Sequence, residues 1–389
     1  MKKCLKFLIF LFLCFPIYVY ASNFDISGEN VILYNLNDDT ILYEINSQEQ
    51  TNIASLTKIM TTLVAIDNID DLNDYITITS QDFVGTNGYS KAGFQVGEKV
   101  TYLDLLYGIL LPSGADAVNA IVNNTLGYDD FVLQMNALAD TIGLENTSFS
   151  NPIGKDDVDN YSTAYDIAIL LKYALKNEVF KSIFTTKEYT TTNGLNLEST
   201  LSPYKDFLEI DKIIGSKSGF TKGAGRCLAS ITTLNDVDYL LVVIKSSIEP
   251  IYSAVLDSLT IYDYYNDNYS YQTILEKGDI IASIPIMWSK EKEYNIVVTE
   301  NVIQYLENKT SENLEYVFDG VTQIEKGTEK GTKLGTIQVI HDNDVIYTSD
   351  VILNEDIEYY NPILWIIVIF LLITLIIRLL FRNKSLHKC

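Results

Sequence analysis

Ser55 and Lys58 stand three residues apart at the front of an apolar stretch, Asn52 to Asp67, which reads NIASLTKIMTTLVAID. On a helix, positions i and i+3 share a face, so the hydroxyl and the amine would point the same way near the N-terminus. An amine in that position can take the proton of a hydroxyl nucleophile, provided it is itself neutral. The spacing alone is a weak signal, because Ser202/Lys205, Ser289/Lys292 and Ser385/Lys388 repeat it. A turn serine followed by a solvated lysine is the ordinary alternative. Two further stretches favour the first copy. Ser113-Gly114-Ala115 lies 58 positions after Ser55, between helical runs, and Lys217-Ser218-Gly219 opens a β-rich stretch 104 positions later.

Other chemistries are excluded by shortage of parts. The chain has two histidines, His341 and His387, both far from these motifs. A Ser-His-Asp or Cys-His site would have to recruit one of them, and a zinc site lacks ligands. No phosphate-binding G-x-x-x-x-G-K-[ST] or G-x-G-x-x-G run is present, so the chemistry requires no cofactor or metal. A nucleophile here needs a lysine or a carboxylate as its base.

The elements that would carry these residues follow from patterning. Val31 to Ile45 is two β-prone runs around Asn37-Asp38-Asp39, a hairpin signature. The region from about 102 to 184 is helical in period, with Asp130, Asn151-Pro152 and Ser162 as breaks or caps. Arg226 to Thr233 and Asp238 to Ser246 form a second hairpin across Asn235-Asp236, followed by a helix from about 250 to 265. Strands at both ends with helices between predict one sheet whose outer pieces come from distant parts of the chain. From 273 to 358 the texture becomes short β runs, predicting a small all-β domain that serves as a stalk or docking module.

The chain ends point to a membrane and to export. Residues 1–21 carry Lys2, Lys3 and Lys6, then an apolar run and Ala21, the pattern of a cleaved signal peptide. Residues 363–381 are apolar except for Thr374 and Arg378, which predicts a transmembrane anchor, with 382–389 as a cytoplasmic tail. The expected location is therefore the cell membrane, single-pass, with the body of the chain outside. Seven of the 28 basic residues and none of the 51 acidic ones lie in these ends, leaving 21 against 51, a net of −30. That charge excludes a nucleic-acid partner. Only Cys227 remains in the exported part, so no internal disulfide can form there.

The three motifs, with the flanks "ASLTKIMT", "LLYGILLPSGADAVNA", "NTSFSNPIGKDDVDNYSTAYDIA" and "IGSKSGFTKGAGRCLAS", resemble those of low-molecular-mass penicillin-binding proteins that are D-alanyl-D-alanine carboxypeptidases. The resemblance covers roughly residues 25 to 265. It implies an α/β (α+β) transpeptidase fold shared with β-lactamases: an antiparallel sheet with flanking helices and a helical subdomain. A catalytic domain over 22–268 would be followed by the all-β domain and the anchor. It further implies Ser55 as acyl nucleophile, Lys58 as general base and Ser113 as proton relay. Lys217, Ser218 and Thr221 would hold the substrate's terminal carboxylate, and the backbone N–H groups of Ser55 and Phe220 the oxyanion. The substrate would be a peptidoglycan stem peptide ending in D-Ala-D-Ala, with β-lactams as covalent inhibitors.

Two positions depart from the family pattern. Ala115 replaces the asparagine of S-x-N, removing a side-chain amide, and Asn119 one helical turn on is a candidate substitute. Ser218 replaces threonine in K-T-G, keeping the hydroxyl. Two alternatives accompany this reading. One is a β-lactamase-like hydrolase, for which the E-x-x-L-N stretch expected of a class A enzyme is missing. The other is a membrane-tethered wall-binding protein with weak or lost catalysis, for which Ala115 is the sequence support.

Overall fold

The computed structural model describes residues 24–386. The expected signal peptide, 1–21, lies outside them, as do residues 387–389 of the tail. The chain divides into two compact units, Met1–Asn266 and Asp267–Cys389.

The first unit is built on a five-stranded antiparallel sheet. Strands β1 (Asn30–Asn35) and β2 (Thr40–Ile45) form the first hairpin. Its turn is local polar chemistry: Asn35 Oδ1 accepts from the Asn37 backbone N–H at 2.9 Å, and Asp39 takes φ 56°, which aspartate tolerates. Helix α1 (Thr57–Asp67) follows, then the short pair β3 (Tyr75–Thr77) and β4 (Lys99–Thr101). The helical layer continues with α2 (Tyr102–Leu110), α3 (Ala115–Asn124), α4 (Tyr128–Ile142), α5 (Ala164–Ala174) and α6 (Glu178–Phe184). A small ribbon, β5 (Glu188–Thr190) with β6 (Asn196–Glu198), leads to β7 (Gly215–Thr221), β8 (Gly225–Leu234), β9 (Val237–Ser246) and α7 (Ser253–Asn268).

The sheet order is β2-β1-β9-β8-β7. The hairpin from the front of the chain therefore docks on the last strand of the unit, as the sequence pattern predicts. β8 and β9 are joined by Asn235 and Asp236, both at positive φ, the two-residue turn whose twist suits adjoining strands. β7 ends the sheet, so one side of its backbone is free to face something other than a strand. Cap positions differ slightly from expectation. The hydroxyl that caps α5 belongs to Thr163, which accepts from the Asp166 N–H, rather than to Ser162. α1 is buried from Thr57 to Ala65 and reaches solvent only in its last turn, at Ile66 and Asp67, as fits a helix enclosed by its neighbours.

The second unit is all-β followed by a helix. β10 (Tyr269–Leu275) pairs with β13 (Val302–Glu307), β11 (Ile280–Pro285) with β12 (Glu293–Val297), and β14 (Glu315–Gly320), β15 (Lys333–His341) and β16 (Asp344–Ile352) make a three-stranded sheet. Two small apolar clusters, one around Ile284, Ile296 and Leu353 and one around Ile274, Leu275 and Val339, hold it together. Helix α8 (Pro362–Leu386) follows. The expected transmembrane span over 363–381 is not supported, because no helix among the described residues is long and apolar enough to cross a membrane.

Candidate active site

The position of Ser55 is set by a tight entry into α1. A single 3-10 turn, Ala54–Leu56, precedes the helix, with Ala54 held at φ 48°. One turn on, Lys58 Nζ lies 2.8 Å from Ser55 Oγ and 2.8 Å from the Ile153 carbonyl oxygen. The i, i+3 geometry expected of this pair is thus realised. Lys58 is 1% exposed. Loss of hydration pushes its pKa down from 10.5 to about 7, against an upward pull from the Asp116 carboxylate.

The Ile153 carbonyl is aimed by a loop that sequence reasoning treated as a break. Asn151 Oδ1 accepts from the N–H groups of Gly154 and Lys155 at 2.8 and 2.9 Å, and the Pro152 carbonyl accepts from Thr61 Oγ1 at 2.7 Å. Gly154 has φ +87°, and a Cβ there would fall 2.0 Å from the Ala54 carbonyl oxygen. The loop is therefore packed directly on the backbone that carries Ser55.

Ser113 joins α2 to α3 at φ 64° and is 4% exposed. The next residues are pinned on both sides: Gly114 N–H donates to the Gly108 carbonyl and Ala115 N–H to that of Ser90, both at 2.8 Å. Buried Asp116 accepts from Ala92 N–H at 2.7 Å and Gly93 N–H at 3.1 Å. Asn119 does not take the place of the missing S-x-N amide. Its Nδ2 donates to the Asp82 and Val84 carbonyls at 3.1 and 2.9 Å, which draws it towards the segment before β4.

The third motif comes from the edge strand β7. Lys217 is fully buried, and its Nζ donates to the Ser218 carbonyl at 2.9 Å. Desolvation first, and then the charge of Lys58, hold its pKa well below the usual lysine range. Gly219 brings β7 against Ser55, since a Cβ there would lie 3.0 Å from Ser55 N. Ser218 Oγ is 2.7 Å from Thr200 Oγ1. The Thr221 hydroxyl is already engaged, donating to Asp156 Oδ1 at 2.5 Å and accepting from Ala224 N–H at 3.0 Å. Asp156 also accepts from Gly223 N–H at 3.0 Å.

These residues converge on one cleft of about 760 Å³, whose lining includes Ser55, Ser113, Thr200, Ser218, Phe220 and Arg226. Thr221 is also on its wall, and Lys58 and Lys217 lie buried beneath it. The arrangement can perform acyl transfer: a hydroxyl nucleophile, an amine that is free base near neutrality, a second hydroxyl, and a strand edge beside the nucleophile. Sequence reasoning missed Asp116, Asp156 and Thr200 as members of the site. Asp116 and Asp156 stand within the flanks quoted above and Thr200 in none, but no spacing signals their part, since each acts on the site through a partner distant in sequence.

Comparison with known proteins agrees with this geometry. Residues 18–247 match the Peptidase S11 family, described as D-alanyl-D-alanine carboxypeptidase, and residues 269–359 match the C-terminal domain of penicillin-binding protein 5. The chain is 28% identical over 341 residues to the D-alanyl-D-alanine carboxypeptidase DacF of Bacillus subtilis, spanning 85% of this chain and 86% of that one. It is 32% identical over 232 residues to the D-alanyl-D-alanine carboxypeptidase DacC of Escherichia coli, spanning 57% of each. The crystal structure of penicillin-binding protein 5 from Haemophilus influenzae superposes with a TM-score of 0.62 at 22% identity, over 86% of this chain and 98% of that one, which shows a shared fold.

Proposed function

We infer from the chain's place in the D-alanyl-D-alanine carboxypeptidase family, to which it belongs, that it is a serine hydrolase removing the terminal D-alanine from peptidoglycan stem peptides. The observation that carries this reading is the contact between Ser55 Oγ and the buried Lys58 Nζ at 2.8 Å. Near neutral pH the Lys58 amine offers a lone pair, and the Ser55 hydroxyl donates its proton to it while attacking the carbonyl between the two D-alanines. The backbone N–H groups of Ser55 and Phe220 would receive the oxyanion, a role supported by the close approach of Gly219 to Ser55 N. Ser113 would pass the proton to the departing amine of D-alanine. Water then cleaves the Ser55 ester and regenerates the enzyme. β-Lactams, which carry a comparable acyl bond, would be trapped on Ser55.

The β-lactamase and wall-binding alternatives are not favoured, because the named relatives are D-alanyl-D-alanine carboxypeptidases and endopeptidases and the Ser55 hydroxyl and Lys58 amine are in contact. Ala115 removes one amide and leaves the pair intact. We also propose that the chain works outside the cell, held at the membrane through α8. The support is the apolar run from Ile363, with Ile366 and Phe370 each 65% exposed. Cell fractionation of the full chain against one ending before residue 362 tests it, and an unchanged distribution would refute it.

Labelling with a fluorescent penicillin, followed by assay of D-alanine release, tests the activity. The wild-type protein is expected to label and to release D-alanine, and Ser55→Ala to do neither. Labelling that persists in Ser55→Ala would move the nucleophile elsewhere. A folded wild-type protein that does not label would return the wall-binding alternative to first place.

A further inference from the structure

The chain has two tryptophans, Trp288 and Trp365, far apart in sequence. Both lie in the second unit, and both line one open cavity of about 480 Å³ with Met287, Ser289 and Tyr360. Trp288 is 64% exposed and Trp365 59%, and Met287 and Tyr360 are open to solvent as well. A single exposed apolar side chain is ordinary, but four large ones gathered on one surface mark a place of contact.

The turn between β11 and β12 is built to hold Met287 and Trp288 outward. Ile286 N–H donates to the Lys292 carbonyl at 2.9 Å and Met287 N–H to that of Ile324 at 2.8 Å. Trp288 takes φ 59°, a left-handed backbone that a bulky residue adopts at a cost, and its carbonyl accepts from Tyr360 N–H at 2.6 Å. Ser289 Oγ and Lys290 N–H both donate to the Glu358 carbonyl at 3.1 Å. The turn is thereby tied to the residues just before α8. Tyr359 turns inward: its hydroxyl reaches the Glu325 and Thr328 carbonyls at 3.1 and 3.2 Å, and its side chain packs on the cluster around Ile284 and Leu353.

What covers the patch follows from its neighbours. From Ile363 to Ile373 every side chain of α8 is apolar and exposed, so this part of the helix has no face for water and no single stripe for a partner helix. A lipid phase covers such a helix on all sides. Where it begins, beside Trp365 in the first turn of α8, Trp288 and Tyr360 stand on the same cavity. Tryptophan and tyrosine favour that level of a bilayer, where an apolar ring and a polar tip are both satisfied. Charge argues against electrostatic seating. Lys290 is paired with Glu358, and Lys292 is the one other cation in 286–293 and 353–361, against Glu291, Glu293, Glu355 and Asp356.

We propose that Met287, Trp288 and Tyr360 form a lipid-facing seat: the β11–β12 turn enters the headgroup boundary of a bilayer beside Trp365 and fixes the angle at which the second unit stands on it. The proposal rests on the reading that α8 holds the chain at a membrane, and it needs no membrane-crossing helix. α8 supplies one point of attachment and the turn a second, so the unit cannot pivot freely.

The full chain in phosphatidylcholine vesicles tests it, with Trp365→Phe, which leaves Trp288 as the only tryptophan, and Trp288→Phe, which leaves Trp365. Phosphatidylcholine brominated near the headgroup end of its acyl chains quenches indoles that reach the boundary. Trp288 should lose most of its emission to the brominated lipid, emit at shorter wavelength than in water and resist aqueous acrylamide, all unchanged by high salt. Trp365 should behave alike. Quenching of Trp365 without Trp288 would overturn the seat alone. Vesicles that quench neither tryptophan, and do not carry the chain on flotation, would overturn the α8 reading beneath it. Trp288 shielded from acrylamide yet indifferent to brominated lipid would assign the patch to a second copy of the chain or another protein. Quenching that requires anionic lipid would assign the contact to Lys290 and Lys292. Either of these last two results overturns the proposal.

Discussion

The cleft of the first unit and the strand pairs of the second treat charge in opposite ways. Beneath the cleft two lysines are removed from water, Lys58 at 1% and Lys217 at 0% exposure, with the carboxylate of Asp116 buried as well. In the second unit the charged pairs stay hydrated. Lys290 with Glu358 and Lys333 with Asp350 have side chains more than half exposed. An exposed lysine keeps its proton and is no base, whereas a buried one gives it up near neutrality at the cost of stability. The large continuous core of the first unit surrounds the desolvated amines. The two small clusters of the second have no such interior.

The sharpest way to break this contrast is to make the cleft as apolar as its surroundings. Lys58→Met should lower the rate of penicillin acylation by about 10²- to 10⁴-fold. The same change should stabilise the fold. Between about pH 7 and 10.5 the folded state binds fewer protons at Lys58 than the unfolded state, so the penalty of burial is complete below about pH 7 and absent above 10.5. The variant should therefore be more stable than wild type at pH 7 by a few kcal/mol, on the order of the pKa shift, with the advantage fading in alkaline solution. Urea unfolding at several pH values checks it, and a variant less stable at pH 7 would show that Lys58 contributes net stability through its two contacts.

Gly154→Ala attacks the same cleft through its backbone. The added methyl meets the Ala54 carbonyl oxygen at 2.0 Å in a residue whose φ is +87°. A destabilisation of about 2–4 kcal/mol is expected. Displacing the Ile153 carbonyl from Lys58 should also slow acylation by roughly 10²-fold, the sensitivity usual for small misplacements of reacting groups. Retained rate in a destabilised variant would separate the loop's structural role from its part in catalysis.

How much of this was legible in the sequence depends on the range of the contact involved. The hairpins around Asn37 to Asp39 and Asn235-Asp236 could be read because turn residues act on their own neighbours. The Ser55–Lys58 pair could be read because three residues on a helix fix a face. The Lys58–Ile153 contact could not, since 95 positions separate the partners and only the packed loop brings them together. Asn119 shows the limit of periodicity: it lies one turn from Ala115, yet hydrogen bonds to Asp82 and Val84 decide where it points.

A finer probe of the buried charges is the pH dependence of acylation. Only the free amine of Lys58 accepts the proton, so below about pH 7 the rate should fall about tenfold per unit and above it level off. Asp116 pulls this pKa upward, so Asp116→Asn should move the acidic limb to lower pH. Stopped-flow labelling across pH 5–9 measures both, and an unmoved limb would show that the anion acts only as the acceptor for Ala92 and Gly93.

The smallest effect is expected where charge is left in water. Lys333 Nζ lies 2.6 Å from Asp350 Oδ1 across the β15–β16 pair, with both side chains 55% exposed. In that setting solvent screens the attraction, and ordering two long side chains offsets what remains. Lys333→Ala should change stability by less than ~1 kcal/mol, and leave penicillin acylation and its pH profile as in the wild type. A large loss of stability would mean that this pair is desolvated in solution, and the distinction between a unit that buries charge for chemistry and one that keeps it hydrated would fail at its simpler end.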